Sequence, residues 1–182
     1  LNTNSDSEVL LNVLAHELQN QSFDQLGPRH LFQAVDAVYR RCRGAYSAVA
    51  VVCGAGILGF RDPNGIRPMV LGSRETEQGT EYALASESVA LDVLGFEMMR
   101  DVAPGEAVYI TLDGDLHTHV STEQRERSPC IFEYVYFARP DSMTPIKPFL
   151  LVFAAFLAAA AAARSETLRH PASLEEQLKA VA

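Results

Sequence analysis

Leucines at positions 10, 14 and 18, with Leu11 beside them, repeat at the spacing of one buried helical face. Ser5-Asp6-Ser7-Glu8 precedes them in the order of a capping box, in which Ser5 accepts from the Glu8 amide and the Glu8 carboxylate reaches back. The pattern predicts a helix over about 6–19. Gly27-Pro28 opens a second helix, whose apolar face is Leu31, Val35, Val38 and Cys42, until Gly44 stops it.

From Ala45 the period changes to that of strands. Residues 45–52, 57–61 and 69–72 form apolar runs between Gly-rich or Pro-rich turns, and 82–86 follows a polar loop at 73–81. A short helix is predicted over 87–94, closed by Gly95. Strands then follow at 97–102, 107–112, 116–120 and 131–137, with turns at Pro104-Gly105 and Asp113-Gly114. Two helices followed by many antiparallel strands predict an α+β sandwich rather than an alternating βαβ fold.

Several short patterns have a chemical reading and a plainer one. Gly54-Ala55-Gly56-Ile57-Leu58-Gly59 spells a dinucleotide fingerprint, but a strand and a proline turn follow it instead of a helix. It reads as a tight hairpin. Arg61-Asp62-Pro63-Asn64-Gly65-Ile66-Arg67-Pro68 reads as a turn with an internal ion-pair scaffold. His117 and His119, at i and i+2 on a strand, share one face. With no third ligand nearby in sequence they read as solvent-side residues rather than zinc ligands. Ser86 and Ser88 have no visible His or Asp relay.

Composition narrows the classes further. The 182 residues carry a net charge of −8, a poor match to phosphate backbones, so nucleic-acid binding through a basic surface is not expected. Cys42, Cys53 and Cys130 lack paired spacing and imply free thiols in a reducing, cytoplasmic compartment. Residues 1–142 hold eleven arginines, no lysine and twenty acids, whereas residues 143–182 hold both lysines and eleven alanines. That shift places a boundary near 142. Leu1 in place of an initiator methionine reads as a cut N-terminus.

From Met143 the chain reads M-T-P-I-K-P and then an apolar run, 149–163, before Arg164, in the order of a secretory signal. Fifteen residues of helix span about 22 Å, short of the roughly 30 Å hydrocarbon core. A fusion introduced by a gene model, a hydrophobic helix packing locally and a membrane anchor all stay open for this tail.

Cys130 to Ser142, C-I-F-E-Y-V-Y-F-A-R-P-D-S, resembles the segment leaving the glutaminase domain of amidophosphoribosyltransferases. R-D-P-N-G-I-R-P at 61–68 and L-A-S-E-S at 84–88 resemble blocks of class II glutaminase domains. L-N-T-N-S-D-S-E at the start, C-R-G-A-Y at 42–46 and R-D-V-A-P-G-E at 100–106 extend the likeness over residues 1–142. The resemblance implies the second half of an N-terminal-nucleophile glutaminase domain, a partial four-layer αββα antiparallel sandwich, joined at 143–182 to an unrelated tail.

By the same resemblance, the whole enzyme hydrolyses glutamine and passes ammonia to phosphoribosyl pyrophosphate, giving phosphoribosylamine in the first step of purine synthesis. Mg²⁺ would sit at the phosphoribosyl site, and the family assembles as homo-oligomers. Asp6 matches the aspartate that binds the α-amino group of glutamine; an ammonium needs a carboxylate, and a helix start favours the ionised form. Cys130 matches a cysteine that ligates a [4Fe–4S] cluster in some members, but its partner ligands would lie beyond Ser142. The family's cysteine nucleophile and oxyanion elements belong upstream of residue 1, and its phosphoribosyl-pyrophosphate loop belongs downstream of residue 142. The expectation is therefore no catalytic residue in this chain and no activity from it alone. A non-catalytic, membrane-tethered or interaction module built on the same sandwich is the alternative.

Overall fold

The computed structural model describes residues 5–19, 27–128, 130 and 132–133. The chain divides into two units, Leu1–Met143 and Thr144–Ala182; the predicted tail, and most of the predicted strand 131–137, lie outside the described residues. Helix α1 is Asp6–Gln19 and α2 is Pro28–Arg41. Strands β1 (Ser47–Val52), β2 (Gly56–Arg61), β3 (Val70–Thr76) and β4 (Gly79–Ala85) follow, then α3 (Ser88–Val93), β5 (Glu97–Asp101), β6 (Glu106–Thr111) and β7 (Leu116–Val120).

The strands form two antiparallel sheets, β1-β2-β6-β7 and β4-β3-β5. Alternation along each strand assigns side chains to layers. Leu58 and Phe60 of β2, with Ala107 and Tyr109 of β6, meet Leu14 of α1 and Leu31, Phe32, Val35 and Val38 of α2. On the opposite face, Val108 and Ile110 pack with Met69, Leu71 and Val102, and Tyr82, Leu84 and Leu116 lie against them. A third contact layer is formed by α3, where Leu91 is fully buried and its methyls sit so close over Gly72 that a Cβ there would lie 2.8 Å away. The order helix pair, sheet, sheet, helix is the αββα sandwich. Burial of each large core side chain contributes about 1.5–3 kcal/mol, so the two cores supply most of the cohesion.

Two expectations are corrected. Residues 73–81 do not form a loop throughout: β3 and β4 continue as a paired ribbon to Thr76↔Gly79. This ribbon projects polar side chains, with Arg74 reaching Glu81 across it at 2.5 Å, so backbone pairing sustains it rather than an apolar face. Phe132 and Glu133 are helical rather than extended, and the Glu133 amide donates to the Cys130 carbonyl at 3.1 Å.

The first sheet is incompletely covered. Val49 and Val51 of edge strand β1 are 54 % and 75 % exposed, and Ile57 opposite Val51 is 39 % exposed. These sit on the face that elsewhere meets the second sheet.

Candidate functional site

Asp6 begins α1 and lines a cleft of about 460 Å³ with Val9 and Leu10 of that helix and residues 41–46. The opposing wall is the exit from α2. It is held by local bonds: the Cys42 amide donates to Val38 at 2.7 Å, and the Tyr46 hydroxyl donates to the Cys42 carbonyl at 3.3 Å. The Tyr46 ring packs against Tyr39 and Phe60, and burial pushes its phenol above the ordinary range, so it stays a donor. Gly44 has φ +142°, which a side chain would strain, and nothing fills the space its Cβ would enter. Arg41 reaches Glu17 at 2.5 Å and so ties the end of α2 to α1. One carboxylate, two guanidiniums, that of Arg41 already held by Glu17, and a glycine in a conformation other residues resist thus border a small open cleft, an arrangement able to receive a zwitterion. The sequence pointed to Asp6; the opposing wall it did not show, because only the fold brings residues 41–46 to the start of α1.

The turn after β2 is built from buried charge bound to backbone. Asp62, fully buried, accepts from the amides of Asn64 (3.0 Å), Ile66 (3.0 and 3.1 Å) and Arg67 (3.1 Å). Arg61, 1 % exposed, donates to the carbonyls of Arg67 (2.6 Å), Val102 (2.5 Å) and Gly65 (2.9 Å). Arg67 pairs with Glu133 at 2.5 Å. The expected ion-pair scaffold within the turn is corrected: Asp62 and Arg61 bond to peptide groups, and the ion pair of Arg67 runs to a carboxylate 66 residues away.

Arg100 and Glu106 form a two-pronged pair at 2.8 and 2.7 Å, and Glu106 also accepts from the Ala103 amide at 2.6 Å. This clamps the turn before β6, and the pairing holds the Arg100 guanidinium above its usual value.

The histidine reading needs correction. His119 faces α2 rather than solvent: its ring stacks on Phe32 with centroids 5.2 Å apart, and its Nε2 lies 3.1 Å from Asp36. His117 stacks on Tyr109. Ser88 is buried at the start of α3, apart from the Asp6 cleft. Cys53 is exposed, Cys42 and Cys130 are half-buried, and burial raises the Cys42 thiol. Among the described residues no group of three His, Cys, Asp or Glu could hold a metal ion. Among the described residues no helix is long and apolar enough to cross a membrane.

No protein-family profile matches the chain. The amidophosphoribosyltransferase of Pseudomonas aeruginosa is 59 % identical over 143 residues, which is 79 % of this chain and 28 % of that protein. The Escherichia coli K12 enzyme of the same name is 56 % identical over 143 residues, 78 % of this chain and 28 % of its own length. The Saccharomyces cerevisiae one is 46 % identical over 147 residues. Among solved structures, glutamine phosphoribosylpyrophosphate amidotransferase from B. subtilis, complexed with ADP and GMP, superposes with a TM-score of 0.62 at 32 % identity, over 78 % of this chain and 28 % of that one. A structure described as the allosteric regulatory enzyme of purine biosynthesis gives 0.61 at the same identity.

The antiparallel αββα sandwich is thus part of the glutaminase fold of N-terminal-nucleophile amidotransferases. More narrowly, the chain is homologous to a segment of amidophosphoribosyltransferases, and it spans a little over a quarter of the length of the curated relatives it matches.

Proposed function

We propose that residues 1–142 are the second half of a glutamine amidotransferase domain in an amidophosphoribosyltransferase, and that Asp6 binds the α-ammonium of glutamine. The observation that supports this best is the position of Asp6 at a helix start, on the wall of the cleft closed by Arg41 to Tyr46. A carboxylate there matches an ammonium in charge and reach.

In the whole enzyme, water cleaves the glutamine side-chain amide to glutamate and ammonia. The ammonia then displaces pyrophosphate from C1 of phosphoribosyl pyrophosphate. The attacking thiolate, the oxyanion donors and the acceptor site belong to other parts of that enzyme, as do the Mg²⁺ site and the remaining ligands of any cluster that Cys130 joins. Cytoplasmic location, homo-oligomeric assembly and a tail at 143–182 foreign to the enzyme complete the reading. Identity of 59 % to an enzyme over the whole of this sandwich favours it over a non-catalytic module.

The test is reconstitution. The purified 182-residue chain should release no ammonia from glutamine. The same chain, joined at Leu1 to the segment that precedes the matched region in the Pseudomonas aeruginosa relative, should release it. Turnover by the chain alone, or none after joining to give a folded product, would contradict the proposal.

A further inference from the structure

The turn after β2 does more than reverse the chain. Its backbone carbonyls receive the segment that follows β7: the Arg125 amide donates to Pro63 at 2.9 Å and the Ser128 amide donates to Asn64 at 2.8 Å. Further along, Glu133, only 8 % exposed, meets Arg67 of the same turn. The turn itself cannot easily yield, because Asp62 and Arg61 hold it from within through buried bonds to its own peptide groups. A rigid template therefore grips, at three points, the stretch through which the chain passes from β7 toward residue 134.

We propose that Arg67 and Glu133 form a clasp that sets the direction in which the chain leaves the sandwich, making Arg67 a positioning residue for the transfer of ammonia. The transfer role rests on the reading above, in which the acceptor site is carried by sequence beyond this segment. In the whole enzyme, ammonia made in the glutaminase domain must reach a separate acceptor domain, and a small misplacement of reacting groups costs rate steeply. The two backbone bonds, to Pro63 and Asn64, fix the segment's path up to Ser128. The ion pair fixes it at Glu133, where the Glu133 carboxylate would otherwise be buried without its cation. An interaction of this kind, half-screened at the arginine end, controls local opening more than global stability.

Two measurements test it. Amide hydrogen exchange on the 182-residue chain should quicken about fivefold at Arg125, Ser128 and Glu133 in Arg67→Gln and in Glu133→Gln, while β6 amides are unchanged. The double exchange Arg67→Glu with Glu133→Arg should restore slow exchange. Unchanged exchange in both single variants would overturn the clasp. The second measurement places residues 1–142 within the whole Pseudomonas aeruginosa enzyme, replacing the matched stretch, and reads pyrophosphate released per glutamate released. Arg67→Gln should lower that ratio about threefold with glutamate release kept within about twofold, and the charge-swapped pair should recover it. An unchanged ratio would overturn the positioning role. If the unsubstituted hybrid releases no glutamate, the glutaminase reading fails, and the exchange data alone decide the clasp.

Discussion

Replacing Asp62 with alanine removes the acceptor for three backbone amides at once. Asp62 is fully buried, and Asn64, Ile66 and Arg67 all donate to it at 3.0–3.1 Å. A buried donor left unpaired costs about 1–3 kcal/mol. Water entering the space left by the carboxylate recovers part of this, so about 1 kcal/mol per amide is the reasonable figure. The total, about 3 kcal/mol, is a large share of the 5–15 kcal/mol that keeps a typical domain folded. With a urea dependence of about 1.5–2 kcal/mol per molar for a unit of this size, the midpoint should fall by about 1.5–2 M. The chain has no tryptophan, so far-UV circular dichroism at low protein concentration is the suitable probe. Asp62→Asn keeps one acceptor oxygen and should lose about half as much. Asp113→Ala, in the exposed turn before β7, is the control and should shift stability by less than about 0.5 kcal/mol. If Asp62→Ala behaves like Asp113→Ala, the argument that buried charge builds this turn is refuted.

Alkaline pH should destabilise the fold. Tyr39 is 5 % exposed, and burial raises its phenol far above the ordinary value of 10.0. The unfolded chain gives up that proton from about pH 10 while the folded chain keeps it, so stability declines by up to about 1.4 kcal/mol per pH unit above that point. Urea midpoints that stay level from pH 9 to 11 would contradict this. Thiol labelling should discriminate in the same spirit: Cys53, exposed, should react well ahead of Cys42, which is half-buried and has its thiol raised by burial. Peptide mapping after brief alkylation at pH 8 reads the order, and equal labelling would count against the described packing.

Much of this architecture could be read from the chain because the periods are clean. The leucines at i+4 spacing gave α1 almost to the residue, and glycine or proline turns bounded nearly every strand. The exposed ribbon of β3 and β4 escaped because both of its faces meet water at the tip, so no alternation marks it. For β7, the alternation L-H-T-H-V suggested histidines on the solvent side, but a strand of that composition fits either way round. The structure turns the histidines to α2. Strand order and the reach of Arg67 to Glu133 depend on contacts across most of the unit, which no local pattern encodes. Asp6 emerged by resemblance, whereas its cleft emerged only from the packing of α1 against the end of α2.

The role of Asp6 is tested most directly by the glutamine dependence of the reconstituted amidotransferase domain, comparing the native sequence with Asp6→Asn. Asparagine keeps the shape and removes the charge. Loss of a charge-assisted bond to an ammonium should raise KM for glutamine about 10- to 100-fold, with kcat changed far less. A KM that stays within about twofold of the native value would contradict the account.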